Sequence, residues 1–395
     1  MKILMLTPYL PFPLLTGGQT RSYNLIKRLA NLGHEITLFC LVKSDDEKKY
    51  APELEKFCKE VRVFNRPEKP WTIINILRTG FSFFPFLVMR NWASGEKTAV
   101  AKLLDEQSFD LIHAETFYVM PHIPKTTIPI VLVDQTIEYK VYQHYVENYK
   151  YNFLKPLLLI DVYKLKFWEL KYWKQASKVI AMSSNDRETM ITQVPSLNVE
   201  IVPNGVDSTF FGAKIKEKSK EPVIMYLGNF TWLQNREAVE VLVEKVWPII
   251  KRSVKDAKLW IIGKDAKNFF SSLENKDIRI EEVKDVREAY QGAHLLVTPI
   301  YSGHGTRLKN FETFASGLPV VTTSIGIGGT EAEDGKEVII RDDPKDIAQA
   351  AIELLQDPKK YSRLAENAKK MVQQKYDWDQ IAQKLSDIYK EVAHA

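Results

Sequence analysis

Cysteine is scarce. The chain has 395 residues and two cysteines, Cys40 and Cys58, with no CxxC pair. That leaves nothing for a disulfide scaffold or a structural zinc site, and a reducing cytoplasm fits such a chain. Long apolar runs are missing too. The most apolar window, residues 71–92, is broken by Arg78, Gly80, Pro85 and Arg90, which argues against a membrane span. The opening MKILMLTPYLPFPLL is broken by Pro8, Pro11 and Pro13 and lacks a small-residue cleavage site, so it reads as a short buried strand and not a secretion signal. Charge of one sign is not in large excess: 55 Lys and Arg against 50 Asp and Glu leave +5. A mild basicity favours phosphate-bearing ligands or an anionic membrane surface and is too small to imply nucleic acid. No period of 20–50 residues and no low-complexity segment occurs.

Two further absences bear on chemistry. Neither half of the chain has GxGxxG after its first strand: residues 7–18 hold prolines, and Gly228 stands alone. This weighs against the rival reading of a nicotinamide-dependent oxidoreductase. The only Asp-x-Asp is Asp377-Trp378-Asp379, at the start of the last helical stretch. Acids there stabilise a helix amino end, so neither a metal nor a cofactor is called for.

What is present is a repeating alternation of short apolar runs with helical periodicity. Strands are expected at 3–7, 35–42, 61–64, 111–114, 130–133, 178–182 and 199–202. A second series is expected at 223–228, 259–263, 278–281, 295–299, 319–323 and 338–340. In the first helix Leu25, Ile26, Leu29 and Leu32 make one stripe, ended by Gly33. Residues 208–222 are lysine-rich and read as a linker. Strands alternating with helices predict parallel sheets, and the length predicts two of them. The expectation is α/β, two doubly wound Rossmann-like domains facing across a ligand cleft. The domains expected are 1–207, 208–375 and a final helix, 376–395, packing back on the first.

Residues 299–323, PIYSGHGTRLKNFETFASGLPVVTT, carry the most chemistry. A strand ends, the Gly303-His304-Gly305 loop follows, and a helix is expected from Thr306 to Ser316 with Gly317 at its end. Leu308, Phe311, Glu312 and Ala315 share one face, so Glu312 interrupts an apolar stripe. An unpaired buried carboxylate costs several kcal/mol. Glu312 is therefore either a core residue bonded to backbone or an acceptor for sugar hydroxyls of a ligand. Arg307 and Lys309 lie in the first turn, against the helix dipole. Either they point into water, or a bound diphosphate offsets the repulsion.

The run FETFASGLPVV, with IVPNGVD at 201–207 and TGGQTRSYNLIKRLANLGHEITLF at 16–39, resembles the retaining GT-B glycosyltransferases of family four over nearly the whole chain. The resemblance implies transfer of a sugar from a nucleoside diphosphate sugar with retention, to a glycan or lipid-linked acceptor in cell-envelope polysaccharide or glycolipid synthesis. It implies cytoplasmic placement, with possible peripheral contact at the inner membrane face. Glu312 matches the second Glu of that family's Glu-x7-Glu motif, which contacts the nucleotide ribose. His304 stands where the first Glu would be, as in a branch with a GGGTRLK-like run, so Gly303, His304, Gly305, Thr306, Arg307 and Lys309 are expected to hold the diphosphate. The usual Arg and Lys after the second domain's first strand are absent, and Gly228 and Asn229 are followed by no basic residue before Arg236. His304 also leaves open a non-catalytic protein that binds nucleotide sugar.

In the first domain Gly17 and Gly18 precede a helix and permit close backbone approach to phosphate or sugar, with Arg21 in the following turn. His113 and Glu115 end a strand. The family's donor-sugar His falls on one of them, or His113 is a hydrogen-bonded structural histidine. Asp134 and Glu138 end the next strand, and Asn204-Gly205 closes the domain. Residues 150–174 interleave Lys150, Lys155, Lys164, Lys166, Lys171 and Lys174 with Trp168 and Trp173. Such a helix either buries its leucines and solvates its lysines or docks on an anionic membrane.

Overall fold

The structure, a computed structural model, describes residues 1–69, 72–214, 217–303 and 305–394. His304 therefore lies outside the described residues. The chain forms two compact units, Met1–Pro203 with Ile381–Ala395, and Asn204–Gln380.

In the first unit the strands are β1 (Lys2–Thr7), β2 (Glu35–Val42), β3 (Glu60–Asn65), β4 (Leu111–Glu115), β5 (Ile130–Asp134), β6 (Lys178–Ala181) and β7 (Val199–Ile201). They form one sheet in the order β3-β2-β1-β4-β5-β6-β7, every pair parallel. All five residues of β4 are buried, as expected of a strand covered on both faces by helices. Register runs from Ile3↔Leu111 to Leu6↔Ala114, so Met5 lies beside His113.

The second unit repeats the plan with β8 (Val223–Leu227), β9 (Lys258–Ile262), β10 (Ile278–Glu281), β11 (Leu295–Thr298), β12 (Val320–Thr322) and β13 (Ile339–Ile340). Their order is β10-β9-β8-β11-β12-β13, again all parallel. Strand order reverses at β1/β4 in one sheet and at β8/β11 in the other. Ligands of such sheets bind beyond the carboxyl ends of the strands at this point.

The first helix, Gly17–Asn31, starts where the Thr16 hydroxyl accepts from the Gln19 amide. It buries Leu25, Ile26 and Leu29; each such side chain contributes roughly 1.5–3 kcal/mol. The expected stripe stops one residue early. Leu32 is the C-cap and is exposed, and Gly33 follows with φ +85.

Residues 208–222 are not a bare linker throughout. Ser208–Gly212 is a short helix, and the Ser208 amide donates to Asp377 Oδ2 at 3.1 Å. Asp377 Oδ1 also accepts from the Asp379 amide, which caps the final helix, Trp378–Ala393. On that helix Ile381, Leu385 and Ile388 are buried along one face.

The helix Lys155–Gln175 departs from simple amphipathicity. It buries Val162, Leu165 and Trp173 but exposes Leu157, Ile160, Tyr163 and Phe167. Its lysines are partly engaged: Lys164 donates to the carbonyls of Thr79 and Ser82, and Lys171 sits 4.2 Å from the Trp168 ring centroid. Among the described residues no helix is long and apolar enough to cross a membrane.

Candidate functional site

At the β8/β11 reversal, β8 ends at Leu227 and the chain turns through Gly228 and Asn229. The backbones here are packed too closely for side chains. A Cβ on Gly263, which has φ +135, would lie 1.8 Å from the Gly228 carbonyl oxygen. Asn229 fixes the turn through its Oδ1, which accepts from the amide and hydroxyl of Thr231.

From β11 the chain passes through Gly303 (φ +94) and Gly305 (φ +89) into the helix Leu308–Ala315, whose N-cap is Arg307. The helix thus begins two residues later than the sequence pattern suggests, because Thr306 and Arg307 keep extended or loop backbone. Gly329, at φ +83, passes so close to Thr306 that a Cβ would meet its Oγ1 at 2.5 Å. Gly317, at φ +70, ends the helix.

Three charged side chains project from this turn. One Arg307 terminal nitrogen donates to the Ser302 carbonyl at 3.0 Å, while its buried Nε has no hydrogen-bond partner among the described residues. The Lys309 ammonium donates to the Leu227 carbonyl at 2.8 Å and to Asn235 Oδ1 at 3.2 Å. It also lies 4.6 Å from the Tyr226 ring centroid. Burial and then the like charge of Arg307 push Lys309 down to about 7, with Glu312 opposing them. Burial also lowers Arg307 from its ordinary value. Glu312, half-buried, accepts a 2.7 Å hydrogen bond from the Tyr290 hydroxyl. Burial raises its pKa, against the Tyr290 bond and the Lys309 charge. Its partner is thus a side chain and not the backbone.

Sequence reasoning missed Tyr226, Asn235 and Tyr290, which hold Lys309 and Glu312. It also missed Asn310, fully buried, whose Oδ1 has no partner among the described residues while its amide donates to the Gly326 carbonyl. Lone Tyr and Asn residues in strands and helices carry no spacing signal that would have marked them.

In the first unit the carboxyl ends of β1 and β4 meet in a buried polar chain. Tyr389 on the final helix and His113 Nδ1 are 2.5 Å apart, and His113 Nε2 lies 2.6 Å from Glu115 Oε2. The other Glu115 oxygen accepts from Gln135 at 2.6 Å and faces Arg21 Nε at 3.5 Å. Gln135 also donates to the Tyr9 hydroxyl, and Arg21 donates to the Pro203 carbonyl at 2.7 Å. Burial alone would raise Glu115; the His113 bond, the charges of His113 and Arg21 and the Gln135 bond outweigh it and hold the carboxyl below its ordinary value. An ionised Glu115 only accepts, so Nε2 donates to it, while Nδ1 and the Tyr389 hydroxyl share the remaining hydrogen bond. His113 and Glu115 are both almost completely buried in this chain.

Gly18 lies under the same network. A Cβ there would stand 2.7 Å from the Tyr9 hydroxyl. Gly17 opens the first helix and is exposed. Gly205 abuts the last helix's start, since a Cβ would reach the Tyr376 carbonyl at 2.7 Å. Asn204 is half-buried beside it. Asp134 is buried and accepts from Trp173 Nε1 at 2.6 Å, and burial pushes it up to about 7. Glu138 accepts from the Tyr118 hydroxyl at 2.6 Å.

A family profile described as Glycosyltransferase Family 4 matches residues 15–210, and one described as Glycosyl transferases group 1 matches residues 221–357. A 44.6 kDa protein from the cps region of Klebsiella pneumoniae, uncharacterized, is 22% identical over 99% of both chains. Among solved structures, sucrose-phosphate synthase from Thermosynechococcus elongatus superposes with TM-score 0.68 at 16% identity, covering 99% of this chain and 98% of its own. Anabaena HepE, solved with UDP, superposes with TM-score 0.67 at 16% identity over 99% and 100% of the two chains. HepE has also been solved with UDP-glucose. The two profiles fall one on each parallel sheet, and the structural likeness extends through both. The chain belongs to the group 1 glycosyltransferases of GT-B fold and is a glycosyltransferase.

Proposed function

We propose that this glycosyltransferase binds a nucleoside diphosphate sugar at the amino end of the helix Leu308–Ala315. It moves the sugar, with retention at the anomeric carbon, to a glycan or lipid-linked acceptor in cell-envelope polysaccharide synthesis. The observation that carries the donor reading is Arg307: a cation at a helix N-cap, against the dipole, with a buried Nε that no described group satisfies. A diphosphate there would satisfy Arg307 and restore the charge of Lys309. Glu312, about one turn into that helix and aligned by Tyr290, would accept from the ribose hydroxyls. Gly228, Asn229, Gly303, Gly305 and Thr306 would bring backbone close to the donor. HepE, with its bound UDP and UDP-glucose, makes uridine the first base to try.

As the diphosphate departs, negative charge builds on its oxygens, and donors already in position stabilise it without reorganisation. His113 and Glu115, being buried, act as positioning residues: they fix the end of β4 and the glycine turn beside it. The cps-region relative supports a polysaccharide acceptor. The exposed Leu157, Ile160, Tyr163 and Phe167, with lysines interleaved, support peripheral contact with an anionic membrane.

A thermal-shift panel of UDP-, GDP- and ADP-sugars, followed by assay of nucleotide release, tests the donor. A stabilising nucleotide sugar that also releases free nucleotide supports transfer. Stabilisation with no release from any donor would reduce the chain to a binding protein.

A further inference from the structure

A second cationic pair stands apart from the donor turn. Arg66 directly follows β3, and Arg90 directly follows the short helix Phe86–Met89. Each is half-buried, and the buried Nε of each has no hydrogen-bond partner among the described residues. Neither forms an ion pair with a described carboxylate. The two guanidiniums are close enough to feel each other: burial first, and then the like charge of Arg90, push Arg66 down to about 10. Like charges in partly desolvated surroundings repel, and the charges of Glu47 on Arg66 and of Glu138 on Arg90 offset this only in part.

The surroundings place this pair at the ligand-binding edge of the sheet. The groups around it come from segments that follow successive strands at their carboxyl ends. Glu47 lies in the segment after β2, Arg66 after β3, Tyr118 after β4, and Glu138 and Tyr142 after β5. The Tyr142 hydroxyl bonds Arg90, and the nearby acids already accept from neutral donors. Glu138 Oε1 accepts from the Tyr118 hydroxyl at 2.6 Å, and Glu47 Oε2 accepts from the Lys43 amide at 3.1 Å.

We propose that Arg66 and Arg90 form an anion subsite that holds a phosphate group of the acceptor. The inference rests on the transferase reading above, since only then does the first unit receive an acceptor. Two adjacent guanidiniums offer planar, forked donors matched to phosphate oxygens, which lysines at the same positions would not. The group recognised is a phosphate or diphosphate, carried either by a lipid anchor or by a soluble sugar phosphate.

Calorimetric titration of the full chain with inorganic diphosphate tests this. Two equivalents are expected for the unsubstituted protein, one lost in Arg307→Ala and the other lost in Arg66→Gln/Arg90→Gln. The two losses report separately on the donor reading and on this one. Should the glutamine variant not fold, Arg66→Lys/Arg90→Lys keeps the charge and is expected to weaken the second equivalent by about tenfold or more, through lost charged hydrogen bonds. Farnesyl diphosphate binding more tightly than inorganic diphosphate at this equivalent identifies a lipid-borne phosphate, and equal binding identifies a soluble one; both support the subsite. A second equivalent unchanged in the glutamine or lysine variants, or its absence from the unsubstituted protein, overturns it.

Discussion

The Tyr290 hydroxyl donates to Glu312 Oε2 at 2.7 Å, and Tyr290 itself is almost wholly buried. A rigid phenol thus orients the carboxylate proposed to receive the ribose. Tyr290→Phe removes one charged hydrogen bond, worth on the order of 1.5–3 kcal/mol, while keeping the ring. Nucleotide affinity is expected to fall by roughly tenfold or more. Glu312→Gln is expected to shrink the preference for ribose nucleotides over their 2′,3′-dideoxy analogues, measured by competitive titration. A preference untouched by Glu312→Gln would contradict the ribose contact.

Arg307→Ala should lower turnover by roughly 10²–10³, the usual loss when one donor to a developing anion is removed. The side chain bonds only a loop carbonyl, so circular dichroism and melting should be little changed. Near-normal turnover in this variant would remove Arg307 from the site.

Lys309 gives a pH signature. With its value down from 10.5 to about 7, the free protein carries it half-protonated near neutrality. A diphosphate alongside stabilises the ammonium, so binding at pH 8 should take up close to one proton. Calorimetry in buffers of different ionisation enthalpy measures this, and Lys309→Arg should abolish it. The sign for stability is separate. Between about 7 and 10.5 the unfolded chain binds the extra proton, so this group's contribution to stability rises with pH across that window. Zero uptake in the unsubstituted protein would mean that Lys309 does not meet the diphosphate.

Tyr389→Phe leaves His113 Nδ1 buried without its partner, at a cost of about 1–3 kcal/mol. Melting of the first unit is expected to shift down while nucleotide affinity holds. An unshifted transition would indicate that the Tyr389–His113 contact carries no energy.

Gly263→Ala should be severely destabilising, because φ +135 is a glycine conformation and the new Cβ would collide with the Gly228 carbonyl. Soluble expression and thermal melting read this out. A variant as stable as the parent would show that β8 and β9 can part at that point.

Much of this architecture was legible from residue order. The inner strands were visible as short apolar runs, because parallel strands covered on both faces lose the polar alternation, whereas the edge strands β3 (EVRVFN) and β10 (IRIE) keep it and were visible as alternation. The glycine loop and its cations were visible for a related reason: glycine and charge in an apolar context are local departures from pattern. What stayed hidden was who answers them. Glu312 announced a buried carboxylate, but its partner Tyr290 lies 22 residues away on another helix, and no periodicity joins the two. His113 and Glu115 looked like alternatives for one role; the strand places both on the same side, two residues apart, and they bond each other. The start of the helix at Leu308 was misjudged because Arg307 adopts extended backbone as its cap, which side-chain spacing does not report.

The contacts of the final helix also set an order of events during synthesis. Ser386, Tyr389 and Glu391 supply partners for His34, His113 and Lys178, all in the unit whose sheet is made first. Those partners leave the ribosome only after the whole second sheet has been translated. The amino-terminal half must therefore wait, with His34 and the Nδ1 of His113 unanswered in its interior, while the carboxyl-terminal half is already free to fold. The part of the protein begun earliest is the part completed last.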